Sequence, residues 1–405
     1  MLSMKKRNSK YEKLVNFKTN LNLSRHSWFN IKEGYSKDLV TNIIYDLNID
    51  KNDGLIMDPF SGSGTSVLSC SEIGYKSIGI EVNPFLHFLS ETKNSNYDID
   101  LQGIISSLVK IKIKKNLVPP ELSISKKLFG NQLDTILSIR EWINMKKDKR
   151  IKSLLKVAFL SSLEICSYAK KDGNGLKYPK NKKPRDFIKV FKENLEMINT
   201  DILNSNLKTI PKIYLGNSWE IMKNKKFKDK YKNKISLCVF SPPYANCFDY
   251  TEVYKIELWF GDFITRYEDL KVIRKDSMTS HLNKKIPESF NLKELMPYLN
   301  KIDTSKLWSK KIPEMVKSYF AEMYELLENI YDYLTKNGHC VIIVGNSAYG
   351  NIVIPTDEIF KKMAKRMGYK KAHIHKARIL GTSSQQYKKI DRPDLLRESL
   401  IFLQK

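Results

Sequence analysis

The chain has 405 residues, enough for two or three domains at roughly 150 residues each. With 41% hydrophobic and 11% aromatic residues it can bury a real core, which excludes general disorder, and no apolar run approaches the roughly eighteen residues of a membrane-spanning helix. Lysine and arginine number 70 against 44 aspartates and glutamates, a formal net charge of +26; a Lys/Asn/Ile bias of the genome would explain many lysines but not the modest acid count, so the excess favours a polyanion partner, most simply nucleic acid.

The first seventeen residues are basic but lack an apolar stretch, so they do not read as a secretory signal, and residues 1–20 are polar and irregular. Leu39, Val40, Ile43, Ile44 and Leu47 form an apolar stripe, and Ser36 is placed to cap the helix that carries it. After the turn at 51–54, Gly54-Leu55-Ile56-Met57 reads as a buried strand. A Gly- and Ser-rich turn (Asp58 to Thr65) follows, then a helix from Ser66 to Ile73 closed by Gly74, then a strand at Ser77 to Ile80. Strand, turn, helix and strand open a doubly wound, mostly parallel α/β sheet. From about 95 to 208 the pattern turns helical, at 131–147, 152–168 and 186–205, with a basic Gly/Pro/Lys loop at 170–186. Alternation resumes with strands at Lys212–Leu215 and Ile235–Phe240, the latter running into Ser241-Pro242-Pro243-Tyr244. Residues 261–312 read as irregular. A long helix at about 313–336 ends at Gly338, and His339 to Val344 reads as a strand. Thr356 is expected to cap a helix that ends at Gly368, and two closing strands are expected at about 371–380 and 397–404. The expected organisation is therefore a first core part at 1–94, a helical insertion at 95–208, and the rest of the core at 209–405 with a second insertion at 261–312, the two insertions being the candidates for target recognition and nucleic-acid contact.

Two constellations carry chemistry. Asp58-Pro59-Phe60-Ser61-Gly62-Ser63-Gly64-Thr65 lies between a buried strand and a helix, where a backbone can wrap a ligand and present free N–H groups; Gly62 and Gly64 permit the approach. One strand later Glu81, in Gly79-Ile80-Glu81-Val82-Asn83-Pro84, is placed to accept from both hydroxyls of a ribose. No lysine follows the second glycine, so this is no nucleoside-triphosphate loop. The second constellation is Ser241-Pro242-Pro243-Tyr244. Two prolines at a strand end stop the ladder and hold a rigid turn, which can aim the Tyr244 ring and backbone carbonyls at one point. A planar base can stack there while its exocyclic amine donates to the Ser241 hydroxyl and the Pro242 carbonyl. An ordinary strand-to-loop turn with a surface tyrosine is the competing reading of that motif alone.

Taken together, the pair resembles the amino-methyltransferases that use S-adenosylmethionine to methylate the exocyclic amine of cytosine or adenine in DNA. The resemblance covers about 20–94, 210–260 and 313–405. It implies a methyltransferase core with an antiparallel closing strand. It implies that Asp58, Phe60, Ser61, Gly62, Gly64, Thr65, Glu81 and Asn83 form the S-adenosylmethionine site, joined by Asn217 and Ser218 of Gly216-Asn217-Ser218-Trp219-Glu220 near the adenine. It implies that Ser241, Pro242, Pro243 and Tyr244 hold the target base, that Tyr250 to Trp259 is the helix after the catalytic turn, and that His26 to Leu39 closes over the methionine end of the cofactor. A serine before the Pro-Pro-Tyr resembles the N4-cytosine enzymes; aspartate or asparagine is more frequent in the N6-adenine ones. The expected substrate is double-stranded DNA with the target base flipped out. The expected setting is the cytoplasm of a prokaryote. There the protein is either a solitary methylase or the modification half of a restriction system, with a cognate endonuclease acting on the same site. N6-adenine methylation, methylation of structured RNA, and a non-catalytic nucleic-acid-binding protein on the same scaffold are the alternatives.

The chain has no Pro-Cys pair, which argues against carbon-5 methylation, and its five cysteines are scattered and never spaced CxxC, which argues for a reducing compartment and against zinc. No metal is expected: His373 and His375 share a strand face without carboxylate or cysteine at ligand spacing, and read as solvated or phosphate-facing. The lysines of 170–192 and 223–234 are candidates to grip phosphates. Gln385 and Gln386 are candidates to read adenine edges.

Overall fold

The computed structural model describes residues 10–173, 175–284, 291–381 and 389–405. Gln385 and Gln386 lie outside the described residues, as does part of the expected 261–312 insertion. The described strands are β1 (Leu55–Asp58), β2 (Ser77–Glu81), β3 (Lys170–Asp172), β4 (Gly175–Lys177), β5 (Lys212–Leu215), β6 (Ile235–Phe240), β7 (Leu334–Gly345), β8 (Ser347–Tyr349), β9 (Ile352–Ile354), β10 (Lys371–Ile379) and β11 (Arg397–Gln404). Seven of them form one sheet in the order β10-β11-β7-β6-β1-β2-β5. Pairing is parallel from β7 to β5, while β11 runs antiparallel to both β7 and β10. This is the doubly wound, mostly parallel α/β sheet expected from the sequence, closed by an antiparallel hairpin.

The central strands are apolar on both faces because helices cover both. All six residues of β6 are buried. One face packs against the long helix Ile312–Tyr333, including Met315, Phe320, Met323 and Leu327, and the other against Leu39, Val40, Ile43 and Ile44 of the helix Lys37–Asp46. Ser36 caps the latter through its side chain, which accepts from Leu39 N–H at 3.2 Å.

From β1 the chain proceeds to β2 and β5 on one side and later returns through β6 and β7 on the other. The order therefore reverses between β1 and β6, and a crevice opens beyond their carboxyl ends, where ligands of such sheets bind. The turns 58–65 and 241–244 follow these two adjacent strands.

The helical block 95–208 contains the helices Leu133–Asn144, Lys149–Leu163 and Phe187–Asn204. Its apolar residues form one continuous core with Phe85 and Leu89 of the helix Pro84–Lys93 and with Tyr254, Leu258, Trp259 and Phe260. The block is thus welded to the segment that follows the 241–244 turn.

Several sequence expectations need correction. The loop 170–186 contains a hairpin, β3–β4. Lys171 on it does not reach outward: it is buried, and its ammonium meets the buried Glu257 carboxylate at 2.5 Å beneath the rings of Phe29 and Tyr254. An isolated charge would be too costly there, so the pair is held by mutual compensation. The stretch 261–312 is not wholly irregular, since Tyr267–Asp276 and Met296–Leu299 are helical. Thr356 does not cap its helix; it is the first helical residue, and Asn346 Oδ1 accepts from Asp357 N–H at 3.1 Å instead. β7 begins at Leu334, five residues before the expected start, because the long helix ends at Tyr333. His373 stacks on Phe402 with ring centroids 4.9 Å apart, and His375 meets Tyr11 edge-on at 4.9 Å. No group of three or more histidine, cysteine, aspartate or glutamate side chains among the described residues is arranged to hold a metal ion. None of the described helices is long and apolar enough to cross a membrane.

Candidate active site

The turn after β1 is fixed by carboxylates and backbone. Asp58 is buried; its Oδ1 accepts from Phe60 N–H at 2.9 Å, and its Oδ2 from the hydroxyls of Ser66 at 2.5 Å and Tyr35 at 3.0 Å. Burial pushes its pKa up to about 6 against the pull of those donors. Ser61 N–H donates to Ile80 O at 2.9 Å, which lashes the turn to β2. That approach requires Gly79, where an added Cβ would stand 2.9 Å from Ser61 Cβ. Gly62 takes φ +51° and donates its N–H to Glu81 Oε2 at 2.7 Å, while Asn83 N–H donates to Oε1 at 2.8 Å. Burial raises the Glu81 pKa to about 7, opposed by those two N–H groups.

The resulting cavity is lined by Phe60, Ser61, Gly62 and Thr65 of the turn, Glu81 and Asn83 after β2, and Asn217, Ser218 and Trp219 after β5. Residues 31–35 cover one side and Ser241 and Pro243 another, and Tyr250, Thr251 and Tyr254 of the following helices line it as well. Ser218 Oγ donates to Pro59 O, and Gly216 N–H donates to Glu81 O at 2.9 Å, so the third segment is tied to the first two. Asn83 caps the helix Pro84–Lys93 through Oδ1, while its buried Nδ2 has no partner among the described residues. A buried amide donor without an acceptor is costly, so this wall fits a ligand that supplies one.

Asp58, Gly64, Pro242 and Tyr244 do not line this cavity. Asp58 braces the turn from behind. Gly64 takes φ +81°, and a Cβ there would fall 2.2 Å from Ser90 Oγ; its smallness serves the packing of one helix on another. The segment 273–281, expected from the sequence only as part of a DNA-contacting insertion, supplies Ile273, Asp276, Ser277, Met278, Ser280 and His281 to the wall. Asp249 anchors it, accepting from Arg274 Nε at 3.0 Å and Asn283 Nδ2 at 2.8 Å. Asn217 Nδ2 donates to Asp276 O at 2.8 Å from the other side. No periodic pattern marked these residues; only the cluster of polar side chains in an aperiodic stretch set them apart.

A second cavity adjoins the first across Ser241 and residues 31–35, which line both. Tyr244 lines it, with Asn30, Ile343, Arg378 and Glu398. The Tyr244 hydroxyl donates to Glu398 Oε1 at 2.6 Å, and its ring packs against Gly345, where an added Cβ would lie 2.8 Å from Cε2. Burial and the Glu398 carboxylate push the phenol pKa well above its ordinary value, so the hydroxyl remains a neutral donor. Beyond the turn, Tyr349 hydroxyl donates to Ala245 O at 2.7 Å. The shared 31–35 loop is held at both ends. Arg25 N–H and Trp28 Nε1 each donate to Asp201 Oδ2 at 2.7 Å, and Tyr35 bonds Asp58.

A family model described as DNA methylase, of the N6/N4 type, matches residues 6–91. Over that segment the chain resembles the DNA amino-methyltransferases, and its similarity to type II methyltransferases extends along nearly the whole chain. Among its relatives, the type II methyltransferase M.BsoBI of Geobacillus stearothermophilus is 28% identical, the match covering 97% of this chain and 88% of the relative. The type II methyltransferase M.AvaI of Nostoc sp. is 27% identical over 92% of this chain and 85% of the relative. Among solved structures, the rRNA methyltransferase aviRa of Streptomyces viridochromogenes matches at 9% identity and TM-score 0.33, covering 98% of this chain and 96% of that one.

Proposed function

We propose that the protein transfers a methyl group from S-adenosylmethionine to the N4 amine of a flipped cytosine in double-stranded DNA. The observation that carries this reading is the pair of cavities sharing Ser241, one walled by the glycine turn and Glu81, the other by Tyr244. Ser241 in place of aspartate or asparagine supports cytosine over adenine.

The cofactor's sulfonium supplies an already activated methyl group, so the protein's contribution is positional. Glu81 has one lone pair on each oxygen occupied by a backbone N–H and the others available to ribose hydroxyls. Asn83 Nδ2 offers its unpaired donor to the same ligand. Phe60, Gly62 and the 31–35 loop enclose the methionine end, and Asn217 to Trp219 border the adenine. The extruded base stacks on Tyr244, a contact worth roughly 1–3 kcal/mol that helps offset unstacking from the duplex. Its amine donates to the Ser241 hydroxyl and the Pro242 carbonyl, which makes the nitrogen more tetrahedral and turns its lone pair towards the shared wall. The rigid Pro-Pro turn holds those acceptors without reorganisation. Asp58 and Gly64 position the cofactor turn.

The insertions at 95–208 and 261–312 contact the DNA, the second also closing the cofactor wall. Relatedness to type II methyltransferases along nearly the whole chain supports a role beside a restriction endonuclease that acts on the same site.

Incubation with unmethylated duplex DNA and methyl-labelled S-adenosylmethionine, followed by nucleoside analysis, tests the reading. N4-methylcytosine is the expected product. N6-methyladenine as the sole labelled nucleoside, or label entering only RNA, overturns it.

A further inference from the structure

The second cavity has a wall that the methyl-transfer argument does not use. Arg378 on β10 and Glu398 on β11 are directly paired across the closing hairpin, next to a shift of register between Lys376 and Arg378. Glu398 is 3% exposed and committed on both oxygens, accepting from Tyr244 hydroxyl at 2.6 Å and from Arg378 Nε at 2.5 Å. Arg378 is committed only through Nε. Its two Nη groups make no hydrogen bond to a described residue, and its side chain remains 36% exposed at the cavity. Lys32 also lines this cavity, but among the described residues Arg378 is the cation there that a buried carboxylate orients.

A guanidinium gripped by Nε presents its Nη donors as a fixed fork, suited to two neighbouring acceptors. The edge of cytosine beside its amine carries two such acceptors, N3 and O2. The corresponding edge of adenine carries N1 and then a C2–H, which accepts nothing. We propose that Arg378, oriented by Glu398, donates to the N3/O2 edge of the flipped base and thereby selects cytosine over adenine. The inference rests on the cytosine reading above and adds the residue that enforces it. The same Glu398 holds Tyr244, so stacking surface and edge reader are set by one carboxylate. A matched pair of donors and acceptors distinguishes bases by roughly ten- to a hundredfold.

The test uses short duplexes bearing the methylation site mapped in DNA from cells expressing the protein, with cytosine or adenine at the target position. Rates of labelled-methyl transfer are compared for wild type, Arg378→Met and Arg378→Lys, with the melting shift in S-adenosylmethionine as a check that each variant is folded. Wild type is expected to prefer the cytosine duplex strongly. Arg378→Met is expected to lose tenfold or more on cytosine with little change on adenine, and Arg378→Lys to recover part of the loss. A purely structural role would lower both rates together, so an unchanged cytosine-to-adenine ratio in both variants overturns the proposal even if overall activity drops. If instead wild type methylates the adenine duplex and not the cytosine one, the cytosine reading itself fails, a result visible before any variant is measured.

Discussion

The two turns that meet at the crevice are built in opposite ways. The first, 58–65, is held mainly by its own strand, helix and neighbouring strand, where Asp58 bonds Phe60 and Ser66, Ser61 bonds Ile80 and Gly62 bonds Glu81, with Tyr35 on Asp58 and Ser218 on Pro59 as the more distant ties. The second, 241–244, is held by residues about a hundred or more positions away, with Tyr244 set by Glu398 and Gly345, and Ala245 by Tyr349. On the proposed function, a cofactor turn made mainly of near neighbours can keep its shape while the base site adapts. The base site in turn depends on the closing hairpin being in place.

The contrast breaks most visibly at Tyr244. Replacing it with alanine is expected to lower methyl transfer by at least about a hundredfold, since stacking and the seat of the base are lost together. The melting shift produced by S-adenosylmethionine should persist, because Tyr244 does not line the cofactor cavity. Loss of that shift in Tyr244→Ala would mean that the two turns are one cooperative unit.

The converse change is Glu81→Ala, which is expected to weaken S-adenosylmethionine by about 1.5–3 kcal/mol, the range for hydrogen bonds to a charged group, as measured by calorimetric titration. The wild-type affinity should also depend on pH. Burial raises the free carboxyl to about 7, so below that pH the cofactor must first displace a proton from an acceptor it needs. Affinity is therefore expected to fall as pH drops from about 7.5 to 5.5, by up to about tenfold per unit, and Glu81→Gln should flatten that profile. The same raised pKa acts oppositely on the unliganded fold. Protonation is favoured in the folded state, so Glu81 and Asp58, at about 7 and about 6, make the free protein more stable as pH falls through that range.

Gly64→Ala tests whether the first turn is locally made. A Cβ at φ +81° and 2.2 Å from Ser90 Oγ is expected to cost about 1–3 kcal/mol of stability in denaturant unfolding, with base choice unaffected. The smallest effect is expected from Tyr244→Phe, which keeps the ring but removes the bond to Glu398. It should cost about 0.5–1.5 kcal/mol of stability and reduce transfer severalfold, and a loss as large as that of Tyr244→Ala would make the hydroxyl, not the ring, the important group.

The sequence by itself determined the central strands, the capped helix at Ser36, both turns and the acidic strand end. Each is encoded within a few residues, as an apolar run, a glycine that permits a positive φ, a proline pair or a side-chain cap. It did not reveal that 273–281 walls the first cavity, that Lys171 is buried on Glu257, or that Asn346 takes over the cap expected of Thr356. Nor did it separate Gly62, which lines the cavity, from Gly64, which faces Ser90. Those outcomes depend on which surfaces approach across a hundred or more residues of chain. A lysine in a basic loop or a serine–proline turn has the same letters whether or not a carboxylate waits opposite, so only the folded packing could decide its role.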